Sequence, residues 1–401
     1  MNYPASVEYL YALGNELKTA KLGLECVSAV ASKLGDPQRA FRTIHVAGTN
    51  GKGSTCAMIA SALGAALYTS PHLVEPTERI VIGGKPATKE QFARAFEQVH
   101  AVSEEMIAAG ELESHPTYFE TVTLMAFCLF KEARVEWAII EVGLGGRLDA
   151  TNIVAPEVCV ITPVDYDHEA WLGKSIESIA FEKAGILKPN APAVIAPQHP
   201  AAMRVIEDRA RDVGAELIPV AVPDAVVDAW GSQFAIEGIT YTCPLAGRHQ
   251  VVNAATAIAA CLQVGFDARG ITKAKWPGRL EKIGKFVLDG AHNPAGARAL
   301  AAYIGEFHAG KKIGLIYGAM RDKSVEEIVA ELFPLAHEVV VTAPGQARAL
   351  RPEAILEMEP HARARAVASI VGALESDFES ELIFITGSLF LVGEARAILV
   401  Q

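Results

Sequence analysis

The chain has 401 residues, 51% of them hydrophobic and 21% charged, with a formal net charge of −11. That composition is of the soluble globular kind and long enough for two domains, and its acidic balance lacks the basic footprint of a nucleic-acid binder. No apolar run reaches the roughly 20 residues of a membrane span, and MNYPASVEYLYALGNELK has no signal-peptide core, so a cytoplasmic protein with neither a membrane nor a nucleic-acid partner is expected.

Short β-branched runs alternate with Ala-rich helical stretches, the pattern of a parallel sheet with crossover helices. The first unit is a strand at Arg42–Val46, a glycine loop, and a helix from Ser54 to about Leu63. The apolar helix TVTLMAFCLF then precedes a buried strand at Trp137–Val142, and a third strand at Val158–Ile161 leads to a helix around SIESIAFEKAGI. Lys275–Arg279, KWPGR, reads as a linker. Beyond it strands and helices alternate again: KFVLD, a helix from Pro294, KIGLIYG, SVEEIVAEL, EVVVT, a helix near VASIVGAL, ELIFIT and a final helix. The fold class expected is α/β, with a mainly parallel P-loop-type sheet in residues 1–278 and a smaller Rossmann-like α/β domain in 279–401. Six cysteines with no C-x-x-C pair fit buried thiols in a reducing compartment.

The loop VAGTNGKGST, Val46–Thr55, departs from G-x-x-x-x-G-K-[ST]: Val46 stands at the first glycine position, and Gly53 separates Lys52 from Ser54. The mechanics of a phosphate cradle survive, because a strand feeds a glycine turn and a helix N-terminus offers N–H groups and a positive dipole end. Lys52 is placed to reach terminal phosphates, and Ser54 or Thr55 a magnesium ion. On spelling alone, a plain backbone turn competes equally; the flanking strand and helix favour nucleotide.

Three further residues follow predicted strands at the same sheet edge, where open α/β sheets bind ligands. Glu141 ends a buried strand just before GLGGR; His168 lies in PVDYDHEAWLG; Ser70 lies in YTSPHL. Singly, each has an ordinary reading as a strand-end acid, a surface histidine and a turn residue before Pro71.

Taken together, GTNGKGST, YTSPHLVEPTERI, TYFETVT, EVGLGGRLDATN, DHEAWLG, IAFEKAGILKP, HQVVNAATA, WPGRLE, LDGAHNP and ITGSLFLVGEAR resemble folylpolyglutamate synthase and dihydrofolate synthase, relatives of the Mur cell-wall ligases. Ten matches in family order, from about Lys21 to Arg396, make the resemblance specific. It implies a ligase that uses ATP and Mg2+ to add L-glutamate to a folate or to dihydropteroate through an acyl phosphate. Gly51, Lys52, Gly53 and Ser54 match its ATP loop, with Asn253, Arg279 and Asp289 as further nucleotide contacts. Ser70, Glu141 and His168 match its magnesium ligands. Lys183 matches a lysine carbamylated by carbon dioxide; it is assigned a catalytic role together with His292 and Asp289 of DGAHNP. Thr117, Tyr118, Phe119 and Glu120, with Leu148, Asp149 and Ala150, match segments that hold dihydropteroate, as does KLGLECV, where Cys26 replaces an arginine. A monomer with its site between two domains is also implied.

Two departures stand out. SALGAALYTS is several residues shorter than the family's segment, so its helix or strand must be truncated, and the family's D-K-D is here Asp322-Lys323-Ser324. A monofunctional member is the nearest alternative reading. A Mur ligase proper would carry a nucleotide-sugar domain ahead of the glycine loop, for which the residues before Gly48 leave no room. A regulatory P-loop switch would be supported by an N-K-x-D stretch, and the sequence has none. For DGAHNP, the plain reading is a strand-to-helix turn capped by Asp289 with Pro294 opening the helix.

Overall fold

The computed structural model describes residues 1–14 and 23–400. These divide into two compact units, the first comprising Met1–Val164, His168–Val222 and Val252–Lys273, and the second Asp165–Asp167, Pro223–Val251 and Ala274–Gln401.

The first unit is built on an eight-stranded sheet whose strands are β1 (Arg42–Ala47), β2 (Ala66–Tyr68), β3 (Ile80–Ile82), β4 (Lys85–Pro86), β5 (Trp137–Glu141), β6 (Val158–Ile161), β7 (Ala193–Ile195) and β8 (Leu217–Pro219). Their order is β4-β3-β2-β5-β1-β6-β7-β8. Every pairing from β2 to β8 is parallel, and only the short β2-β3-β4 edge is antiparallel. Because helices cover a parallel sheet on both faces, its central strands are buried continuously rather than on alternate residues: β5 and β6 are buried along their whole lengths. Helices α1 (Tyr3–Ala12), α2 (Glu25–Lys33), α3 (Lys52–Leu63), α4 (Lys89–Ala108), α5 (Tyr118–Glu132), α6 (Glu169–Leu172), α7 (Ile176–Ala184), α8 (Pro200–Val213) and most of α9 (Arg248–Gln263) belong here. One core joins α2, α4 and α5 to Tyr68 and Ile140 on one face of the sheet; another joins α7 and α8 to β6 and β7. The shortened segment ahead of Ser70 appears as a three-residue β2.

The second unit holds a small antiparallel sheet, β9 (Ala225–Asp228), β10 (Gly231–Ile236) and β11 (Ile239–Cys243). Its main sheet contains β12 (Glu281–Ile283), β13 (Phe286–Leu288), β14 (Ile313–Tyr317), β15 (Glu338–Val341), β16 (Ala364–Ala366) and β17 (Leu382–Thr386), in the order β12-β13-β17-β14-β15-β16. All of it is parallel except the β12–β13 hairpin. Helices α10 (Pro294–Phe307), α11 (Val325–Leu332), α12 (Pro352–Met358), α13 (Ile370–Leu374) and α14 (Leu389–Leu399) complete it.

A single cut at 278/279 lies close to the Lys273/Ala274 edge of this division but does not anticipate that Pro223–Val251 clusters with the second unit. Long-range contacts explain it. The Tyr303 hydroxyl donates to the Ala229 carbonyl at 2.7 Å, Arg248 pairs with Glu306, and the Lys282 ammonium lies 4.7 Å from the Trp230 ring centre.

Candidate functional site

The glycine loop is set by its glycines and by three neighbouring segments of the first unit. Gly48 has φ +144°, and a Cβ there would overlap the Thr162 hydroxyl; Thr49 N–H donates to the Pro163 carbonyl at 2.9 Å. Gly51 has φ +88°, where L-residues are strained, and a Cβ there would overlap the Asn253 carboxamide. Asn253 on α9 is therefore seated directly against the loop. From α7, the buried Lys183 ammonium donates to the Gly48 carbonyl at 2.8 Å. Lys52 folds back to the Thr49 carbonyl at 3.2 Å. Helix α3 starts at Lys52 with Gly51 as its N-cap, so no side chain caps it. Ser54 is buried in its first turn.

Glu141 ends β5 beside β1, in register with Val46, and its carboxylate is buried. Ser70, just after β2 and joined to Pro71 by a cis peptide, donates its backbone N–H to Glu141 Oε2 at 3.3 Å. The buried Cys56 thiol is pushed well above its ordinary range by burial and then by Glu141, with Lys52 opposing, so both charges flank the first turns of α3. His168 follows β6, on the other side of β1, and opens α6 with φ +53°. The structure thus brings Ser70 and Glu141 into contact and places His168 beyond a neighbouring strand of the same sheet. A carboxylate and a hydroxyl-bearing residue at the ends of two adjacent strands suit a hard divalent cation.

The two candidate pterin segments meet at the GLGG loop. Thr117 and Glu120 form a reciprocal capping box at the start of α5, so their polar atoms support the helix. Phe119 packs against Gly143, where a Cβ would overlap the ring. Asp149 is buried and accepts from Gly143 N–H at 3.1 Å, Leu144 N–H at 2.8 Å, Thr151 N–H at 3.0 Å and the Thr151 hydroxyl. Burial pushes its carboxyl up to about 6, against those hydrogen bonds. Asp149 therefore acts on the loop's shape, with Leu148 half-buried and Ala150 buried beside it. Of KLGLECV, Lys21 and Leu22 lie outside the described residues, and Cys26 sits half-buried on α2.

His72 and Arg79 lie inside YTSPHLVEPTERI, where neither residue type nor spacing marks them. Arg79 is buried and donates from Nε to His72 Nδ1 at 2.9 Å, and burial, with Arg79, drives the His72 imidazole down to about 3. The Arg79 guanidinium also lies 5.2 Å from the Tyr118 ring centre. A lone Arg in a turn carries no signal by spacing; its pairing with His72 is visible only in three dimensions.

In the second unit, Asp289 directly follows β13 and is buried. Its carboxylate accepts from Leu280 N–H at 3.1 Å and Ala291 N–H at 3.0 Å, tying the segment after Arg279 to the turn that carries His292. Arg279 lies against Gly290, 3.1 Å from where a Cβ would stand. His249, which no spacing in the sequence marks, is held below its ordinary range by burial, with Asp289 opposing and Arg279 reinforcing. The cap of α10 is Asn293, whose side chain accepts from Gly296 N–H at 2.8 Å, rather than Asp289; Pro294 does occupy the first helical turn. Asp289 stands too early in the chain to reach that turn. Within the same unit Asp167 forms a largely buried ion pair with Lys323 at 2.6 Å and accepts from Asn293 Nδ2 at 3.1 Å, with His292 Nε2 at 3.7 Å.

Comparison with known proteins is consistent along the chain. The Mur ligase middle domain matches residues 46–261, and the Mur ligase glutamate ligase domain matches 278–389. The dihydrofolate synthase/folylpolyglutamate synthase of Mycobacterium tuberculosis is 38% identical over 370 residues, spanning 82% of this chain and 76% of that protein. The crystal structure of Mycobacterium tuberculosis folylpolyglutamate synthase complexed with ADP and AMPPCP superposes with a TM-score of 0.91 at 33% identity, covering 100% of this chain and 99% of the other. E. coli FolC in complex with DHPP and ADP gives 0.88 at 32% identity, covering 100% and 98%.

Proposed function

Because the chain belongs to the Mur ligase family, in its folylpolyglutamate synthase and dihydrofolate synthase branch, we propose that it is an ATP-dependent ligase that adds L-glutamate to folates and also to dihydropteroate. The observation that carries this reading is the glycine loop: a helix start with no cap side chain, Lys52 at its mouth, and Asn253 and Lys183 set against its backbone. Helix N-termini of this kind favour phosphate, and the relatives named above bind ADP, AMPPCP and DHPP.

The acceptor carboxylate oxygen attacks the γ-phosphorus and ADP departs, leaving an acyl phosphate. The glutamate amine then attacks the acyl carbon, loses a proton, and displaces phosphate as the amide forms. Charge develops on the transferring phosphoryl group and then on the tetrahedral carbon, so fixed cations and N–H donors do the work that a nucleophile does elsewhere. Gly51, Lys52, Gly53 and Ser54 hold the phosphates, and Asn253, Arg279 and Asp289 hold the rest of the nucleotide. Ser70, Glu141 and His168 would hold magnesium, which when bound would screen phosphate charge; the buried Glu141 carboxylate beside the Ser70 segment is the oxygen donor that fits it. Lys183 and His292 serve the reaction centre. Carbamylation of Lys183 converts a neutral amine and carbon dioxide to a carbamate and a proton, and the remaining N–H can keep the bond to Gly48. Thr117–Glu120 and Leu148–Ala150 frame the pterin, the former through Tyr118 and Phe119 and the latter by holding the GLGG loop. The catalytic form is a cytoplasmic monomer, with its ATP-binding part in residues 1–278 and its ligase domain in 279–401.

ADP release with Mg-ATP, with and without L-glutamate and each pterin acceptor, tests the reading. Turnover is expected only with glutamate and an acceptor both present. Glutamate-independent turnover sinks the ligase assignment, and turnover with folyl-glutamate but none with dihydropteroate removes the second activity.

A further inference from the structure

His100 and Glu104 stand one turn apart on α4, positions that share a helical face. The loop leaving α4 returns His115 to them just before the cap of α5. His115 Nε2 lies 3.4 Å, and His100 Nδ1 3.7 Å, from the same Glu104 oxygen. The two imidazole rings are 6.3 Å apart with planes 29° from parallel, and the three ligand atoms all lie within 4.8 Å of one another. A tetrahedral zinc with bonds of about 2.0–2.1 Å keeps its ligand atoms about 3.3 Å apart, so two edges already match and the third closes by side-chain rotation.

The His100 ring is oriented by packing, stacked on Phe96 at 5.4 Å and 11° and tilted against Tyr9 at 4.7 Å. A ligand held at a fixed angle loses little freedom on coordination. Both histidines are half-buried and Glu104 is exposed, which leaves one side of the cluster open to water as a fourth ligand. Imidazole and carboxylate donors together select zinc-class divalent ions over magnesium.

We propose that His100, Glu104 and His115 form a zinc-class metal site that staples the loop after α4 back onto that helix. It is separate from the glycine-loop edge and shares no residue with it. Because the stapled loop runs directly into Thr117, the cap of α5, the metal stiffens the approach to Tyr118 and Phe119.

The test titrates full-length protein with Zn2+ against a chromophoric chelator in excess Mg2+ and a non-hydrolysable ATP analogue, so that the glycine-loop edge is occupied. One tight equivalent is expected in the wild type. Its affinity should fall about tenfold or more in His115→Ala and in His100→Gln, and the zinc-dependent rise in melting temperature should vanish in both. Glu104→Gln, at an exposed position, repeats the test if either histidine variant fails to fold. Unchanged zinc affinity in these variants overturns the proposal, as does zinc binding lost in Glu141→Gln but kept in His115→Ala.

Discussion

In the first unit β1 runs through Gly48–Gly51 into α3, and in the second β13 runs through Asp289–Asn293 into α10. Both are strand–turn–helix links at the carboxyl end of a parallel strand, yet they satisfy their helices in opposite ways. Helix α10 is closed by its own sequence: Asn293 takes the Gly296 amide, and Pro294 removes one donor. Helix α3 begins at a glycine with no side chain to offer, and the surrounding cations point at carbonyls of the loop. The difference separates a turn proposed to receive an anion from one that carries side chains on a rigid frame.

The largest effect should fall on the open turn. Lys52→Ala is expected to lower kcat/KM for Mg-ATP about a thousandfold, the scale of removing one preorganised donor, with an unchanged melting temperature. A smaller loss would mean that the loop's backbone carries the phosphate alone. Lys183→Ala should cost about a hundredfold, because its contact with Gly48 and its proposed carbamate are both lost. Partial recovery with added acetate, measured as turnover, would separate a missing anion from a disturbed loop; full activity without it would end the role given to Lys183.

The closed turn should respond in stability. Asn293→Ala is expected to lower unfolding free energy by about 1 kcal/mol, read from denaturant melts, with Asn293→Ser recovering most of it. Activity lost on the scale of Lys52→Ala would break the contrast. The smallest effect is a pH term under the open turn. His45 on β1, bonded to the Thr151 hydroxyl at 2.8 Å, is driven by burial down to about 3. A native pKa below the unfolded one means that the unfolded chain binds more protons, so this stability is full above pH 6.5 and drains as pH falls towards 3. Between pH 7 and 6 the loss is about 0.7 kcal/mol for His45, with His72 adding a like amount. His45→Gln should remove roughly half of the combined loss in melts at the two pH values.

How much of this was legible depends on sequence distance. β1, β5, β6 and the helices after them could be read because apolar runs and glycines are local signals. So could the glycine loop, even with Gly53 displacing its hydroxyl. The bond from Lys183 to Gly48 spans 135 residues, and the Asp167–Lys323 pair spans 156, beyond any spacing rule. Asp149 illustrates a different limit: its motif position was readable, but that it collects the Gly143 and Leu144 amides depends on how the loop closes. Asn293 and Asp289 are both good caps by type, and only the helix start decides between them. Pro223–Val251 read as continuous with the first unit because its link to the second lies in side-chain contacts.

The missing cap of α3 also bears on how firmly the helix is held. A helix whose first residue brings no partner for its opening amides takes part of its folding free energy from whatever anion the loop receives. Under the proposed function, nucleotide is then a component of the tertiary structure as well as a reactant. Amide exchange along the opening turn of α3 should slow when Mg-ATP is added, while the same turn of α10, closed by Asn293, should exchange at the same rate with or without it.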